Sequence, residues 1–207
     1  VIPFGLDPAS YPASSEALLE QWRNRIGGRF FLFIGFLRYY KGLNYLLDAM
    51  AGIDYPLVII GEGPCETELK AQVAQLGLKN VHFVGALSDQ DKCALLELCY
   101  AVIFPSHLRS EAYGMTLLEA AMYGKPMISC EIGTGTTFIN LDGNTGFAIP
   151  PEDSISLRRA LSQLWDNPTQ ASVMGDKAKE RFDTLFTAER MVDSYMQLYQ
   201  RLLQSAQ

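Results

Sequence analysis

Two glutamates, Glu111 and Glu119, stand with seven residues between them across the opening of an expected helix, in Ser106-His-Leu-Arg-Ser-Glu111-Ala-Tyr-Gly114-Met-Thr-Leu-Leu-Glu119. Ionised carboxylates only accept hydrogen bonds, so a pair converging on one cleft suits a polyhydroxylated ligand such as a sugar or ribose. Spacing alone does not decide this, because helix starts favour acidic residues through the helix dipole. Lys41-Gly42 opens another expected helix, where free N–H groups and the dipole favour an anion and an ammonium would neutralise a diphosphate. A charge-assisted hydrogen bond of that kind contributes about 1.5–3 kcal/mol, and it matters most as negative charge develops on a departing phosphate. Read by itself, without the other loops, Lys41 is more readily a surface lysine.

Glu131-Ile-Gly133-Thr134-Gly135-Thr136-Thr137 follows an expected strand. Its small residues let backbone approach a ligand closely and expose N–H groups suited to phosphate or sugar oxygens. Phe138 stands where a dinucleotide fingerprint needs glycine, which argues against a nicotinamide cofactor. Gly61-Glu-Gly63-Pro64 is a tight strand-to-helix turn with proline at the helix start, and a structural use explains it as well as ligand contact does. Neither His82 nor His107 has the Ser, Cys or Asp neighbours of a nucleophilic triad.

The elements that must position these residues follow from hydrophobic patterning. Short continuous apolar runs alternate with amphipathic stretches, as expected when parallel strands are buried on both faces and joined by crossover helices. The class is α/β, with strands expected over 30–35, 57–61, 81–85, 102–105, 127–130 and 146–149. Helices are expected over 42–51, 65–76, 89–99 and 115–123. In the last of these Leu117, Leu118, Ala121 and Met122 face the sheet and leave Glu119 at the ligand-side rim. Right-handed crossovers bring the loops after the strands to one edge, where open α/β sheets bind ligands. The last third is helical, over 154–165, 170–184 and 188–203, and its Trp165, Phe182, Tyr195 and Tyr199 read as core or interface. Val1-Ile-Pro-Phe-Gly-Leu-Asp7 starts in mid-pattern, so a segment upstream is expected.

The 207 residues, 48% hydrophobic, suffice for one substantial core. A net charge of -6 and a pI near 4.9 argue against a nucleic-acid groove. Cys65, Cys93, Cys99 and Cys130 form no metal-ligand pair, so free thiols in a reducing cytosol and no metal are expected. The longest apolar runs are far shorter than a membrane span, and a soluble domain is expected.

Taken together, the residues resemble the C-terminal, donor-nucleotide-binding lobe of GT-B retaining glycosyltransferases of the large family 4. The landmarks fall in order along nearly the whole chain: Val1 to Asp7, Gly35 with Lys41-Gly42, Gly61-Glu-Gly-Pro64, 81–85, Pro105-Ser106, Glu111-x7-Glu119-Ala120 and Asn144-x-Gly146. The resemblance implies a Rossmann-like parallel sheet of about six strands with helices on both faces and further C-terminal helices. It implies an interdomain linker and first helix over 1–27, a nucleotide-sugar-binding domain over 28–207, and an N-terminal acceptor lobe outside this chain.

It also implies roles. Glu119 binds the ribose hydroxyls, Glu111 approaches the transferred sugar, Lys41 holds the diphosphate beside Gly35, and Gly133, Thr134, Gly135 and Thr136 contact sugar or phosphate. Val84 and Leu87 border the base. The family usually has an arginine directly after the strand-ending glycine. Here that position is Phe36, and Arg38 two residues on is the replacement clamp or a solvated side chain. Ala112 and Tyr113, where glycine and phenylalanine are common, are milder departures.

The implied reaction transfers a hexose from a nucleoside diphosphate sugar to a hydroxyl of a glycan or lipid-linked acceptor, with retention and without metal or cofactor. Segments 38–42 and 130–136 look most like bacterial mannosyltransferases of surface polysaccharide synthesis, so GDP-mannose is the first donor sugar and a UDP-sugar the second. The implied place is the cytoplasm, with peripheral contact at the inner face of the membrane through the N-terminal lobe. That lobe would pack on the final helix at Met191, Tyr195, Leu198 and Tyr199, and the chain alone would bind nucleotide without appreciable transfer. A sugar-nucleotide epimerase of the same two-lobed architecture and a noncatalytic nucleotide-binding module are the rival readings.

Overall fold

A computed structural model describes residues 1–205. Its six strands form one parallel sheet in the order β3-β2-β1-β4-β5-β6. They are β1 (Phe31–Ile34), β2 (Leu57–Ile60), β3 (Val81–Gly85), β4 (Ala101–Phe104), β5 (Met127–Cys130) and β6 (Gly146–Ile149). Register is continuous across the centre, with Phe31 opposite both Leu57 and Ala101, and Met127 opposite Val102 and Gly146.

Helices α1 (Glu16–Ile26), α2 (Leu43–Met50), α3 (Glu66–Leu76), α4 (Asp89–Leu98) and α5 (Met115–Met122) are followed by the single turn α6 (Thr136–Ile139). Helices α7 (Ser154–Asp166), α8 (Pro168–Leu185) and α9 (Ala188–Ser205) complete the described residues.

Successive strand side chains point to opposite faces, and the core divides accordingly. Leu32, Ile34, Val58, Ile60, Val102 and Phe104 pack under Trp22, Leu95, Leu118 and Phe182 on one face. Phe31, Phe33, Leu57, Ile59 and Ile103 pack under Leu46, Leu47, Leu161 and Leu164 on the other. This two-sided burial is why strands 1, 2 and 4 read as unbroken apolar runs.

The expected elements are present with small shifts. The strand expected over 102–105 runs one residue earlier, because Pro105 donates no N–H to a ladder. The helix expected from 65 begins at Glu66. The one expected from 170 begins at Pro168, whose fixed φ suits a first helical turn. The turn α6 lies partly within the segment read as loop.

Helix α5 is buried from Leu117 to Met122, with the sheet on one side and α8 on another, so Glu119 is buried among these residues, whereas Met115 at the start of the helix is exposed. Of the four late aromatics, Phe182 is fully buried and Trp165 stacks on Tyr55 at 4.4 Å, whereas Tyr195 and Tyr199 are exposed. Along α9, Val192, Tyr195, Leu198, Tyr199 and Leu202 are exposed, while Met191 is half-buried.

Candidate functional site

The strand order reverses between β1 and β4, the two strands that feed loops 35–42 and 105–114. At such a switch point neighbouring loops diverge from the sheet and leave a crevice at its carboxyl edge. Here the loops touch. Gly42 lies in the left-handed region at φ +69°, and a Cβ there would stand 2.1 Å from the Pro105 carbonyl oxygen, so only glycine fits. The His107 N–H donates to the Tyr40 carbonyl at 3.0 Å.

That contact seats Lys41, the last residue of a 3-10 turn over Tyr39–Lys41, against Glu111. The ammonium donates to Glu111 Oε2, which also accepts from Ser106 Oγ at 3.2 Å. The lysine and glutamate side chains are only 12% and 14% exposed, and Lys41 Nζ lies 5.1 Å from the Phe104 ring centre. A buried pair of this kind is held by its mutual charge, since either partner alone would be a costly uncompensated ion.

Glu119, one turn into α5, is 9% exposed and has its own lysine. Its Oε1 accepts from Lys92 Nζ at 3.1 Å and from the Tyr11 hydroxyl at 3.2 Å. Desolvation alone would lower the Lys92 pKa, but Glu119 and Asp89 outweigh it and push it up. Burial first, and then the Glu119 charge, push the Tyr11 phenol well up. The two acids therefore sit at one sheet edge, each next to a cation.

The third loop meets this edge through Gly135. Its N–H donates to the Ala112 carbonyl at 3.1 Å, and a Cβ on it would press to 2.5 Å from the Tyr113 ring. The Gly133 N–H donates to Glu131 Oε1 at 3.0 Å. Thr136 is buried, its hydroxyl 3.4 Å from both Cys130 O and Thr134 Oγ1. Two of the backbone N–H groups expected to face a ligand are thus already committed, a correction to the open cradle read from the small residues. Gly35 donates its own N–H to Ile60 O at 3.0 Å.

Arg38 is exposed, 5.2 Å from the Phe36 ring. It lines a cavity of about 360 Å³ with Tyr39, Asn44, Gln72 and His107 that includes neither Lys41 nor Glu111. Val84 and Leu87 are half-buried, at the end of β3 and in the loop just before α4, packed on the core.

The sequence reading missed Tyr11 and Lys92 as neighbours of Glu119. Tyr11 lies 108 positions away along the chain and Lys92 lies 27, so no local spacing links them. It also missed that Tyr113 OH accepts from Phe4 N–H at 3.1 Å. The stretch before α1 is held further by Leu6 N–H donating to Phe186 O and Ala188 N–H donating to Leu6 O, both at 2.9 Å. Among the described residues no group of three or more His, Cys, Asp or Glu could hold a metal ion, and no helix is long and apolar enough to cross a membrane.

Comparison with known proteins places this chain in a family. Residues 14–181 match the model of glycosyl transferases group 1. The chain is 58% identical over 188 residues to the D-rhamnosyltransferase WbpZ of Pseudomonas aeruginosa, covering 91% of this chain and 49% of that protein. It is 50% identical over 205 residues to the O-antigen chain mannosyltransferase C of Escherichia coli, covering 99% of this chain and 55% of that protein. It thus spans about half the length of these relatives. Anabaena Alr3699/HepE, solved in complex with UDP-glucose, superposes with a TM-score of 0.81 at 22% identity, over 97% of this chain and 56% of that one. With the family model matched over most of its length and two relatives at half identity or more, the chain belongs to the glycosyl transferases group 1 family.

Proposed function

We propose that this chain is the donor-binding domain of a retaining hexosyltransferase that moves a hexose, mannose first, from a nucleoside diphosphate sugar to a hydroxyl of a glycan or lipid-linked acceptor. The observation that carries the reading is the Lys41–Glu111 pair at the strand-order reversal, with Glu119 on the helix that follows. Relatives named for D-rhamnosyl and mannosyl transfer favour a manno-configured hexose and surface-polysaccharide synthesis. On this reading GDP-mannose is the donor sugar and a UDP-sugar the second choice.

In this mechanism Lys41 and the start of α2 stabilise the departing diphosphate as the sugar becomes oxocarbenium-like. Glu111 faces the sugar, and Glu119 accepts from the ribose hydroxyls. Gly35 and the segment Gly133 to Thr136 border the phosphates and sugar, Val84 and Leu87 border the base, and Arg38 is an auxiliary clamp on the diphosphate. Residues 1–27 serve as linker and first helix, residues 28–207 as the nucleotide-sugar domain, and an N-terminal lobe supplies the acceptor site. The work is done on the cytoplasmic side, with any contact to the inner face of the membrane made through that lobe. Family membership favours transfer over the epimerase and noncatalytic readings.

Calorimetric titration with GDP, GDP-mannose, UDP and UDP-glucose tests this. Guanine nucleotides should bind more tightly, and Lys41→Ala should weaken them about 10- to 100-fold, as losing a charge-assisted hydrogen bond does. An unchanged affinity in Lys41→Ala would remove the diphosphate clamp from the reading. Acceptor-dependent turnover by residues 1–207 alone would overturn the need for a second lobe.

A further inference from the structure

Glu119 is held by one oxygen. Its Oε1 takes hydrogen bonds from Tyr11 at 3.2 Å and Lys92 at 3.1 Å, and among the described residues none of its side-chain hydrogen bonds uses Oε2. A carboxylate oxygen presents two lone-pair directions. Oε1 is therefore filled, and Oε2 keeps two lone-pair directions without a side-chain partner, the number that the neighbouring 2′ and 3′ hydroxyls of a ribose would use.

We propose that Tyr11 and Lys92 are positioning residues that fix the plane of the Glu119 carboxylate for ribose recognition. The proposal rests on Glu119 being the ribose acceptor. Lys92 supplies the compensating charge that a carboxylate this buried requires. Tyr11 supplies direction. Its phenol comes from the stretch before α1, which is anchored at Leu6 to the junction of α8 and α9 and at Phe4 to Tyr113. Lys92 Nζ lies 5.6 Å from the Tyr11 ring centre, so the two holders also brace each other. Both ends of the Glu-x7-Glu motif are thereby touched by one stretch: Tyr113, two residues after Glu111, meets Phe4, and Glu119 meets Tyr11.

The test titrates GDP and UDP into the chain and carries forward the tighter binder with its 2′,3′-dideoxy form. The readout is the affinity ratio of the ribose to the dideoxy form, which a general loss of packing does not move. Glu119→Gln should collapse the ratio. Tyr11→Phe, which keeps the ring, and Lys92→Met should each weaken the ribose form about 5- to 20-fold and the dideoxy form less than about 2-fold, with Lys92→Arg restoring most of the loss.

A ratio unmoved by Glu119→Gln overturns the ribose reading and the proposal with it. A ratio collapsed by Glu119→Gln but kept by Tyr11→Phe and Lys92→Met overturns the proposal alone. Equal weakening of both forms by Tyr11→Phe or Lys92→Met makes those residues structural and also overturns it. So does tighter ribose binding by Tyr11→Phe, which would make the phenol a competitor. No binding of either nucleotide by the unaltered chain overturns both.

Discussion

Gly42 is the residue on which the placement of Lys41 turns. Its left-handed backbone and the 2.1 Å approach of the Pro105 carbonyl leave no space for a side chain. Gly42→Ala should cost about 1–3 kcal/mol from the backbone conformation alone, with a further loss as loop 105–114 is pushed away. Urea unfolding midpoints read the first effect, and a weakened GDP titration reads the displaced Lys41; a variant with unchanged stability would refute the close approach. Lys41 and Glu111 were legible in sequence because each follows an apolar strand at a loop that must reach the sheet edge. Their direct pairing was not legible, since 70 positions separate them and only the 3-2-1-4 strand order makes them neighbours. Tyr11 and Lys92 carried no signal for the same reason.

Among the elements, α7 shows how local chemistry sets a boundary. Asp153 caps it by accepting from Ile155 N–H at 3.0 Å, Ser156 N–H at 2.9 Å and Ser156 Oγ at 2.6 Å. The Ser156 hydroxyl foremost, and the Ser156 N–H after it, hold the Asp153 carboxyl below its ordinary 3.8. Because the folded value is the lower one, the unfolded chain takes up the proton first, so this stabilisation is present above the unfolded value and is lost as pH falls through the folded one. Asp153→Ala should therefore lower the urea midpoint at neutral pH, and the gap should close in acid below the usual carboxylate range; a gap independent of pH would show that charge plays no part in the cap. Elements of this kind were legible because helical periodicity is a local signal, although the Asp153 cap itself was not read from the sequence. The turn α6 was not, since four residues are too few to show a helical period.

At the scale of the molecule, the two-sided sheet accounts for the thiols. Cys93, Cys99 and Cys130 are buried and Cys65 is half-buried, and burial pushes the Cys99 and Cys130 thiols up to about 12. At about pH 8 a disulfide reagent should label one thiol of the native chain quickly, at Cys65, and all four in denaturant. Two or more fast thiols in the native chain would mean that the core opens under those conditions. The α/β class and the parallel sheet were legible from patterning, because burial on both faces leaves no alternation to mislead. The burial of Leu117 to Met122 on every side was not, because α8 reaches α5 from more than forty residues away in the chain.

The Lys41–Glu111 pair has one more consequence. Any anion that draws the ammonium toward itself leaves Glu111 nearly buried and uncompensated, and that cost falls on every ligand alike. A bare phosphate has no spare hydroxyl with which to satisfy the carboxylate it strands, whereas a diphosphate joined to a sugar brings the negative charge for Lys41 and the hydroxyl donors for Glu111 together. On the proposed reading of the site the closed pair would act as a filter, admitting molecules that carry both halves of the exchange and turning away the free phosphates that crowd any cell.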